Sequence, residues 1–163
     1  MSKFAAHQLK IALAVIALSA PVTACSDSPS APTIEEQLAS LSVIAHLSRP
    51  AFRSGDTTTV RIVVTNTGQR MVVTRLLQNC TRKFEILRDD VVVSADAPGI
   101  CNMVLNPPDS IASGASKVLS FVWRGEDANW AVMLNPGDYE LRGKIGFGDS
   151  VLLSAPIPMQ ILP

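Results

Sequence analysis

The sequence has few of the residues and motifs on which catalytic sites depend. It contains 2 histidines in 163 residues, and His7 lies in an N-terminal segment that we expect to be removed. No Gly-x-Ser-x-Gly motif, phosphate-binding glycine loop or His-Glu-x-x-His zinc motif occurs. A nucleophile activated by histidine would have to use His46, for which an exposed position in a predicted strand is the simpler explanation. The sequence therefore predicts a protein that is not an enzyme and needs no metal or cofactor.

An excess of positive charge is also missing. Lysine and arginine number 14, as do aspartate and glutamate, and loss of the first 24 residues would remove Lys3 and Lys10 and leave a slightly negative chain. Nucleic-acid binding needs a clustered basic surface. The arginines here are spaced singly along predicted strands, at Arg49, Arg53, Arg61, Arg70, Arg75 and Arg82. We therefore expect no nucleic-acid partner.

No apolar run near the N-terminus is long enough to cross a bilayer as a helix. The run at residues 11–20 follows two lysines and precedes small residues, which is the pattern of a secretory signal peptide. Residues 22–25, Val-Thr-Ala-Cys, resemble the lipobox of bacterial lipoproteins. This resemblance implies diacylglyceryl transfer to the Cys25 thiol, cleavage after residue 24 and acylation of the new amino group. An ordinary signal peptide followed by a chance cysteine is the alternative.

The segment after the cysteine predicts a short tether. Residues 26–33 contain two prolines and no large apolar side chain, so they bury too little surface to offset the entropy of ordering them. By resemblance to the common sorting rule of bacterial lipoproteins, Ser26 in place of an aspartate favours the outer membrane of a two-membrane cell, facing the periplasm or the cell surface. Thr33 and Glu36 have capping-box spacing, which predicts one or two helical turns over 33–40. We divide the chain into a signal peptide (1–24), lipidated cysteine and tether (25–40) and one domain (41–163).

The domain is predicted to consist of strands. Val60, Ile62 and Val64 share one face of a predicted strand and Arg61, Val63 and Thr65 share the other, which is the period of a half-buried strand. Residues 66–69 predict a hairpin turn that returns through a partner strand at residues 71–77. Further runs follow at 83–88, 91–94, 118–123, 139–147 and 151–162, and Asp89-Asp90 marks one of the turns between them. About seven or eight strands predict an all-β, antiparallel, immunoglobulin-like β-sandwich.

Two prolines and several aromatic residues refine this prediction. Pro156 and Pro158 require the final strand to be an edge strand or bulged. Leu119, Phe121 and Trp123 share one strand face, as do Tyr139 and the alternate residues up to 147. Core packing explains both sets, and an aromatic ligand cleft is the alternative. Tyr139 follows a Pro-Gly turn and is a candidate tyrosine corner. Trp130 lies in a polar loop and is a candidate recognition residue, with a lid over the core as the simpler alternative.

The two cysteines that remain, Cys80 and Cys101, predict a disulfide, because they form an even pair in an oxidising compartment. Such a bond would contribute about 3 kcal/mol in the chain-entropy model and would brace the irregular stretch that contains Pro98 and Asn102. A redox or metal pair is the alternative, but there is no Cys-x-x-Cys spacing and no nearby histidine.

Several motifs between residues 43 and 147 resemble the bacterial intracellular proteinase inhibitor family. They are Arg-Ser-Gly-Asp at 53–56 before the strand at 60–66, Lys-Phe-Glu-Ile at 83–86, Phe-Val-Trp at 121–123 and Pro-Gly-Asp-Tyr-Glu-Leu-Arg-Gly at 136–143. The resemblance implies an immunoglobulin-like domain and makes proteinase inhibition a candidate activity. It identifies no protease-contacting residue in this chain.

These observations together favour a non-catalytic lipoprotein of the cell envelope that displays a protein-binding sandwich. A protease is one candidate partner, and the candidate partner-binding residues are Trp130, Pro98 and Asn102. The alternative is a structural or assembly subunit whose exposed sheet edge near residues 151–162 pairs with a partner strand.

Overall fold

A computed structural model describes residues 32–74, 83–95, 109–127, 132–147 and 150–163. These ranges form one short helix and eleven strands, so the predicted all-β class is confirmed. The elements are α1 (Ile34–Ala39), β1 (Leu41–Leu47), β2 (Ala51–Arg53), β3 (Thr58–Asn66), β4 (Val72–Thr74), β5 (Phe84–Arg88), β6 (Val91–Ala95), β7 (Asp109–Ile111), β8 (Ser116–Trp123), β9 (Gly137–Phe147), β10 (Ser150–Leu153) and β11 (Ile157–Leu162).

The strands form the two sheets of an immunoglobulin-like sandwich and one small extra pair. The smaller sheet has the order β1-β3-β8, and the larger has the order β2-β11-β9-β5-β6, with β10 also paired to β9. Strands β4 and β7 pair with each other. All of these pairs are antiparallel except β2 with β11, which is parallel. The chain crosses from the smaller to the larger sheet between β1 and β2, where the Pro50 carbonyl accepts a hydrogen bond from the Gln160 amide.

The core fills the space between the inner faces of the two sheets. Val60, Ile62 and Val64 of β3 are fully buried, as their alternation predicts, because a side-chain period of two places them on one face. Leu119 and Trp123 of β8 are also buried, and Phe121 packs against the same cluster. Facing them from the larger sheet are Phe52, Phe84, Ile86, Leu141, Ile145 and Ile161.

Helix α1 has the capping box that its sequence predicts. The Thr33 hydroxyl accepts from the Glu36 amide at 3.2 Å, and the Glu36 carboxylate accepts from the Thr33 amide at 2.8 Å. Leu38 packs against the core cluster, and the Ser40 carbonyl accepts from the Thr67 amide.

The described part of the chain contains no helix with the length and apolar character needed to span a bilayer. The domain boundaries assigned from the sequence stay predictions.

The prediction of a hairpin at residues 66–69, with the following strand paired to β3, is wrong. Strand β3 has β1 and β8 as its neighbours, while β4 pairs with β7. The buried Asn66 side chain explains the difference: its Nδ2 donates to the Arg70 carbonyl at 2.7 Å and to the Ile111 carbonyl at 2.9 Å, and its Oδ1 accepts from the Gly68 amide at 2.9 Å. These bonds hold the turn against β7, so the chain leaves the sheet of β3 instead of folding back along it.

The predicted terminal strand is split in two. Strands β10 and β11 both pair with β9, and the ladder is interrupted around Ser154, whose hydroxyl accepts from the Gly143 amide at 2.9 Å. Pro156 lies in the interruption, where no ladder donor is needed. Strand β11 is not an edge at residues 160–162, because β2 pairs with it there. Within the described ranges, β10 pairs with β9 alone.

Tyr139 forms the predicted tyrosine corner. Its ring is buried, and its hydroxyl donates to the Asn135 carbonyl, four residues earlier, at 2.7 Å. The Arg88 guanidinium lies over the ring, with its Cζ 5.5 Å from the ring centroid. These contacts fix the start of β9 and hold Arg88 at the end of the β5–β6 hairpin.

Candidate functional site

The residues predicted to carry lipidation, the disulfide and partner binding lie outside the described residues. The structure therefore does not test those predictions, although several described residues adjoin them. They are Cys25, Cys80, Cys101, Pro98, Asn102 and Trp130. The described residues on either side of Trp130 supply the first part of a candidate site.

These flanking residues form a hairpin that we call the 125–134 hairpin. Glu126 and Met133 form a bridge, the Asp127 amide donates to the Val132 carbonyl at 2.8 Å, and the Leu134 amide donates to the Gly125 carbonyl at 2.7 Å. Val132 is 63% exposed and Met133 is 43% exposed. The loop that contains Trp130 therefore leaves and re-enters a closed base that carries apolar side chains in solvent.

Two bonds attach this base to the sandwich, and both end on the Glu126 carbonyl. The Trp123 indole N–H donates to it at 3.1 Å, and the Ser94 hydroxyl donates at 2.8 Å. The Trp123 ring is itself held by edge contacts with Phe52 and Phe84, with ring centroids 5.7 Å and 5.9 Å away. The hairpin base is thus fixed to the packed core and not merely to the surface.

The Ser94 bond brings a second apolar element to the hairpin, because Ser94 belongs to β6. The preceding residues of β6, which we call the valine edge, are Val91, Val92 and Val93, exposed by 62%, 44% and 39%. In an ordinary strand such residues would alternate between two faces. Here the register with β5 shifts at a bulge, so that Leu87 pairs with Val92 and Ile86 with Ser94. Val93 is the extra residue of this bulge, and it follows Val91 and Val92 on a strand that pairs only with β5 among the described residues.

The hairpin turn before the valine edge is acidic. Asp89 and Asp90 have φ values of 51° and 63°, which fits the two-residue turn that the sequence predicts, because aspartate tolerates the left-handed region. Beside the turn lies a surface pocket of about 360 Å³ that also includes Asp138 and Glu140. Arg88, the cation of this pocket lining, lies over the Tyr139 ring.

A separate charge cluster lies on the outer face of the larger sheet, around the buried Glu85. Its carboxylate accepts from Arg142 Nη2 at 2.7 Å and from Lys144 Nζ at 2.5 Å. Burial opposes the charged form, but the hydrogen bonds and positive charges of Lys144 and Arg142 outweigh it, so the pKa of Glu85 is held below its usual value. This cluster ties β5 to β9 and has a structural role.

Glu85 should therefore make stability depend on pH. Its lowered pKa means that the stabilisation is complete above the ordinary glutamate pKa and is lost as the pH falls through the lowered value. We expect Glu85→Gln to reduce the free energy of unfolding by about 2 kcal/mol at neutral pH, and the deficit to shrink below about pH 4. Urea unfolding at several pH values measures this, with the exposed Glu35→Gln as control. A deficit that stays constant into acid would contradict the assignment.

His46 is exposed on β1, opposite Arg61 of β3, as expected for an outward strand position. Among the described residues no group of three histidine, cysteine or carboxylate side chains is arranged to hold a metal ion. The 125–134 hairpin and the valine edge, which the Ser94 bond to the Glu126 carbonyl connects, form the apolar candidate site.

No family model and no curated protein sequence matches this chain. Solved structures match it at low identity. A β-glucosidase from Erythrobacter marinus is 16% identical over 76% of this chain, with a TM-score of 0.45, and the chain spans 15% of that protein. The CARDB domain of the PF1109 protein from Pyrococcus furiosus, solved with di-metal ions, is 12% identical, with 75% and 92% of the two chains covered and a TM-score of 0.42.

The sporulation control protein Spo0M from Bacillus subtilis is also similar, with 11% identity, 76% of this chain and 49% of that chain covered, and a TM-score of 0.40. At these scores the matches transfer no ligand or activity. The architecture itself defines the class, an immunoglobulin-like β-sandwich domain.

Proposed function

We propose that this chain is a non-catalytic lipoprotein of the bacterial envelope that binds a protein partner through the 125–134 hairpin. The observation that carries the proposal is the base of this hairpin, which is bonded to the core through Trp123 and presents Val132 and Met133, close in sequence to Trp130, to solvent. A rigid base lowers the entropy lost on binding, and a tryptophan with apolar neighbours is the composition typical of binding hot spots.

The lipobox at residues 22–25 supports the envelope location. Seven residues separate Cys25 from the helix cap at Thr33, and a fully extended segment of this length spans at most about 25 Å. A lipid on Cys25 would therefore keep the sandwich close to the membrane surface, where its partner would have to be another envelope protein.

Proteinase inhibition is the finer version of this proposal. It is supported by the motif resemblance between residues 43 and 147 and by the closed base of the 125–134 hairpin, because a loop that enters a protease cleft has to keep its shape. Under this version the Trp130 loop would be the inserted segment.

Affinity capture with the full chain from envelopes of the source cell tests the proposal. We expect the wild type to capture a defined partner, and Trp130→Ala and Val132→Ser to reduce its recovery at least about tenfold. Val118→Ser is the matched control, because Val118 is an exposed valine on β8 of the smaller sheet. This variant should retain the partner. Cys25→Ser should release the chain from the membrane fraction. Equal recovery with all hairpin variants would overturn the binding site.

The captured partner is then assayed for proteolysis. Loss of its activity at a one-to-one ratio would support inhibition, whereas an active protease or a partner with no protease activity would reject that version alone.

A second candidate function is assembly through the β10 edge. Val151 and Leu153 of β10 are 50% and 46% exposed, and in the described part of the chain β10 pairs only with β9. Under this alternative, Val151→Lys would abolish capture and Val132→Ser would not.

A further inference from the structure

The valine edge lacks the features by which sheet edges usually avoid other strands. Natural edge strands carry lysine, proline or inward charges that discourage pairing, but β6 has the sequence Val-Val-Val-Ser-Ala. Among the described residues, β6 pairs with β5 alone. Three successive β-branched side chains in solvent favour an added strand, because β-branched residues pack well across strand pairs.

The register indicates which backbone groups would bind it. In a two-residue hairpin the pair that flanks the turn exchanges both hydrogen bonds, and this pair is Arg88 with Val91. The next pair, Leu87 with Val92, is then the non-bonded one. We therefore expect the N–H and C=O of Val92 to point away from β5, toward the open side of the sheet.

Charge indicates what kind of segment fits. A strand antiparallel to β6 would end beside the turn, next to Asp89 and Asp90, and Asp138 and Glu140 line the adjoining pocket. Gln160 donates to Asp138 at 2.9 Å, and Arg88 lies on the Tyr139 ring. This end of the edge therefore complements a positive charge. Two copies of β6 paired antiparallel would place each acidic turn beside the uncharged Ser94–Ala95 end of the other copy, which leaves the carboxylates without a partner.

We propose that the valine edge binds an extended segment of the partner protein by strand addition, with apolar residues opposite the valines and a lysine or arginine at its C-terminal end beside Asp89 and Asp90. This inference rests on the proposed binding function and names the recognition mode and the chemistry of the partner. Backbone bonds through Val92 would supply affinity, and the acidic turn would select the basic end.

The test uses two synthetic peptides of alternating valine and threonine, one ending in two lysines and the other in two glutamates, titrated against the full chain by fluorescence anisotropy. We expect the lysine peptide to bind about tenfold more tightly than the glutamate peptide, and the difference to fall at high salt. The variant D89N/D90N should bring the two affinities within about twofold, while asparagine keeps the turn because it also tolerates positive φ.

Backbone pairing is tested at Val92. Val92→Pro removes the outward N–H without removing a bond to β5, and it should weaken the lysine peptide about tenfold, whereas Val92→Thr should change it less than about twofold. Val91→Lys, at an exposed position, should also block binding. It introduces no proline, so it tests the same edge independently of any effect of proline on the fold. Unchanged urea midpoints show that the variants are folded.

Several outcomes would overturn the inference: no peptide binding, equal affinity for the two peptides, no effect of both Val92→Pro and Val91→Lys, or concentration-dependent dimers that Val91→Lys disrupts. The two proposals fail separately. Val118→Ser, on the smaller sheet, should leave peptide binding unchanged. Capture without peptide binding rejects strand addition alone, and peptide binding without capture rejects the hairpin site.

Discussion

Replacing Trp123 by alanine is expected to lower the free energy of unfolding by about 4 kcal/mol, the largest single effect that we foresee. The ring is buried between Phe52 and Phe84, which come from two different strands of the opposite sheet. Removing it leaves a cavity where the two sheets meet, and the surrounding side chains relax only in part. Because domains of this size are stable by only about 5–15 kcal/mol, the variant should lose a large share of its stability.

Equilibrium urea unfolding followed by circular dichroism measures this effect, and Trp123→Phe separates its two causes. Phenylalanine keeps most of the ring contacts but loses the N–H bond to the Glu126 carbonyl. It should therefore lower the free energy of unfolding by about 1 kcal/mol beyond the loss that its smaller volume causes. The lost bond should also speed amide exchange at Asp127 and Leu134, whose amides close the 125–134 hairpin. Unchanged exchange at both amides would show that Trp123 does not support the hairpin.

The second large effect is expected at Asn66. Asn66→Ala removes three hydrogen bonds from a fully buried side chain and leaves the Arg70 and Ile111 carbonyls without this donor. At about 1 kcal/mol for each bond, the free energy of unfolding should fall by about 3 kcal/mol. Asn66→Asp should be at least as damaging, because a carboxylate would face the same two carbonyl oxygens and would be forced toward its protonated form.

Thr67→Val is the matched control for Asn66. Thr67 is the next residue, and its hydroxyl donates an exposed bond to the Ser40 carbonyl, so its loss should cost less than about 1 kcal/mol. Urea midpoints of the three variants provide the comparison. An Asn66→Ala midpoint close to that of Thr67→Val would show that Asn66 does not fix the path of the chain between β3 and β4.

Local patterns predicted the parts of the fold that depend on neighbouring residues. The alternation in β3, β8 and β9 located strands and their buried faces, and the Thr33 capping box located the helix. Tyr139 after a Pro-Gly turn predicted a tyrosine corner, and its hydroxyl donates to the Asn135 carbonyl. In each case the residues that form the feature lie within a few positions of one another, so the sequence pattern and the structure contain the same information.

Features that depend on distant residues were not predictable in this way. Strands β2, β4 and β7 have three residues each, too few to show a period. The β4–β7 pairing depends on a bond from Asn66 to Ile111, 45 residues away, so the turn at 66–69 was misread as a hairpin. The split of the terminal strand depends on Ser154 meeting Gly143 across the sheet.

The candidate site likewise has features that local sequence patterns predict and features that they do not. A polar loop with one tryptophan drew attention to Trp130 from the sequence, and the Asp89-Asp90 turn was predicted from its composition. The bond from Ser94 to Glu126, 32 residues apart, and the bulge at Val93 were not predictable, because neither leaves a local pattern. Three successive valines directly after a two-residue turn are the signal that could have indicated the edge.

The Glu126 carbonyl accepts from Trp123 of one sheet and from Ser94 of the other, and this has a consequence for the lifetime of the protein. Under the proposed function, binding at the hairpin and folding of the core would share these two bonds and form one coupled equilibrium. A partner present at one hundred times its Kd would add about 2.7 kcal/mol to the stability of the folded state. Occupied copies would then open less often and resist proteolysis longer than vacant ones, so the amount of this protein would follow the amount of its partner.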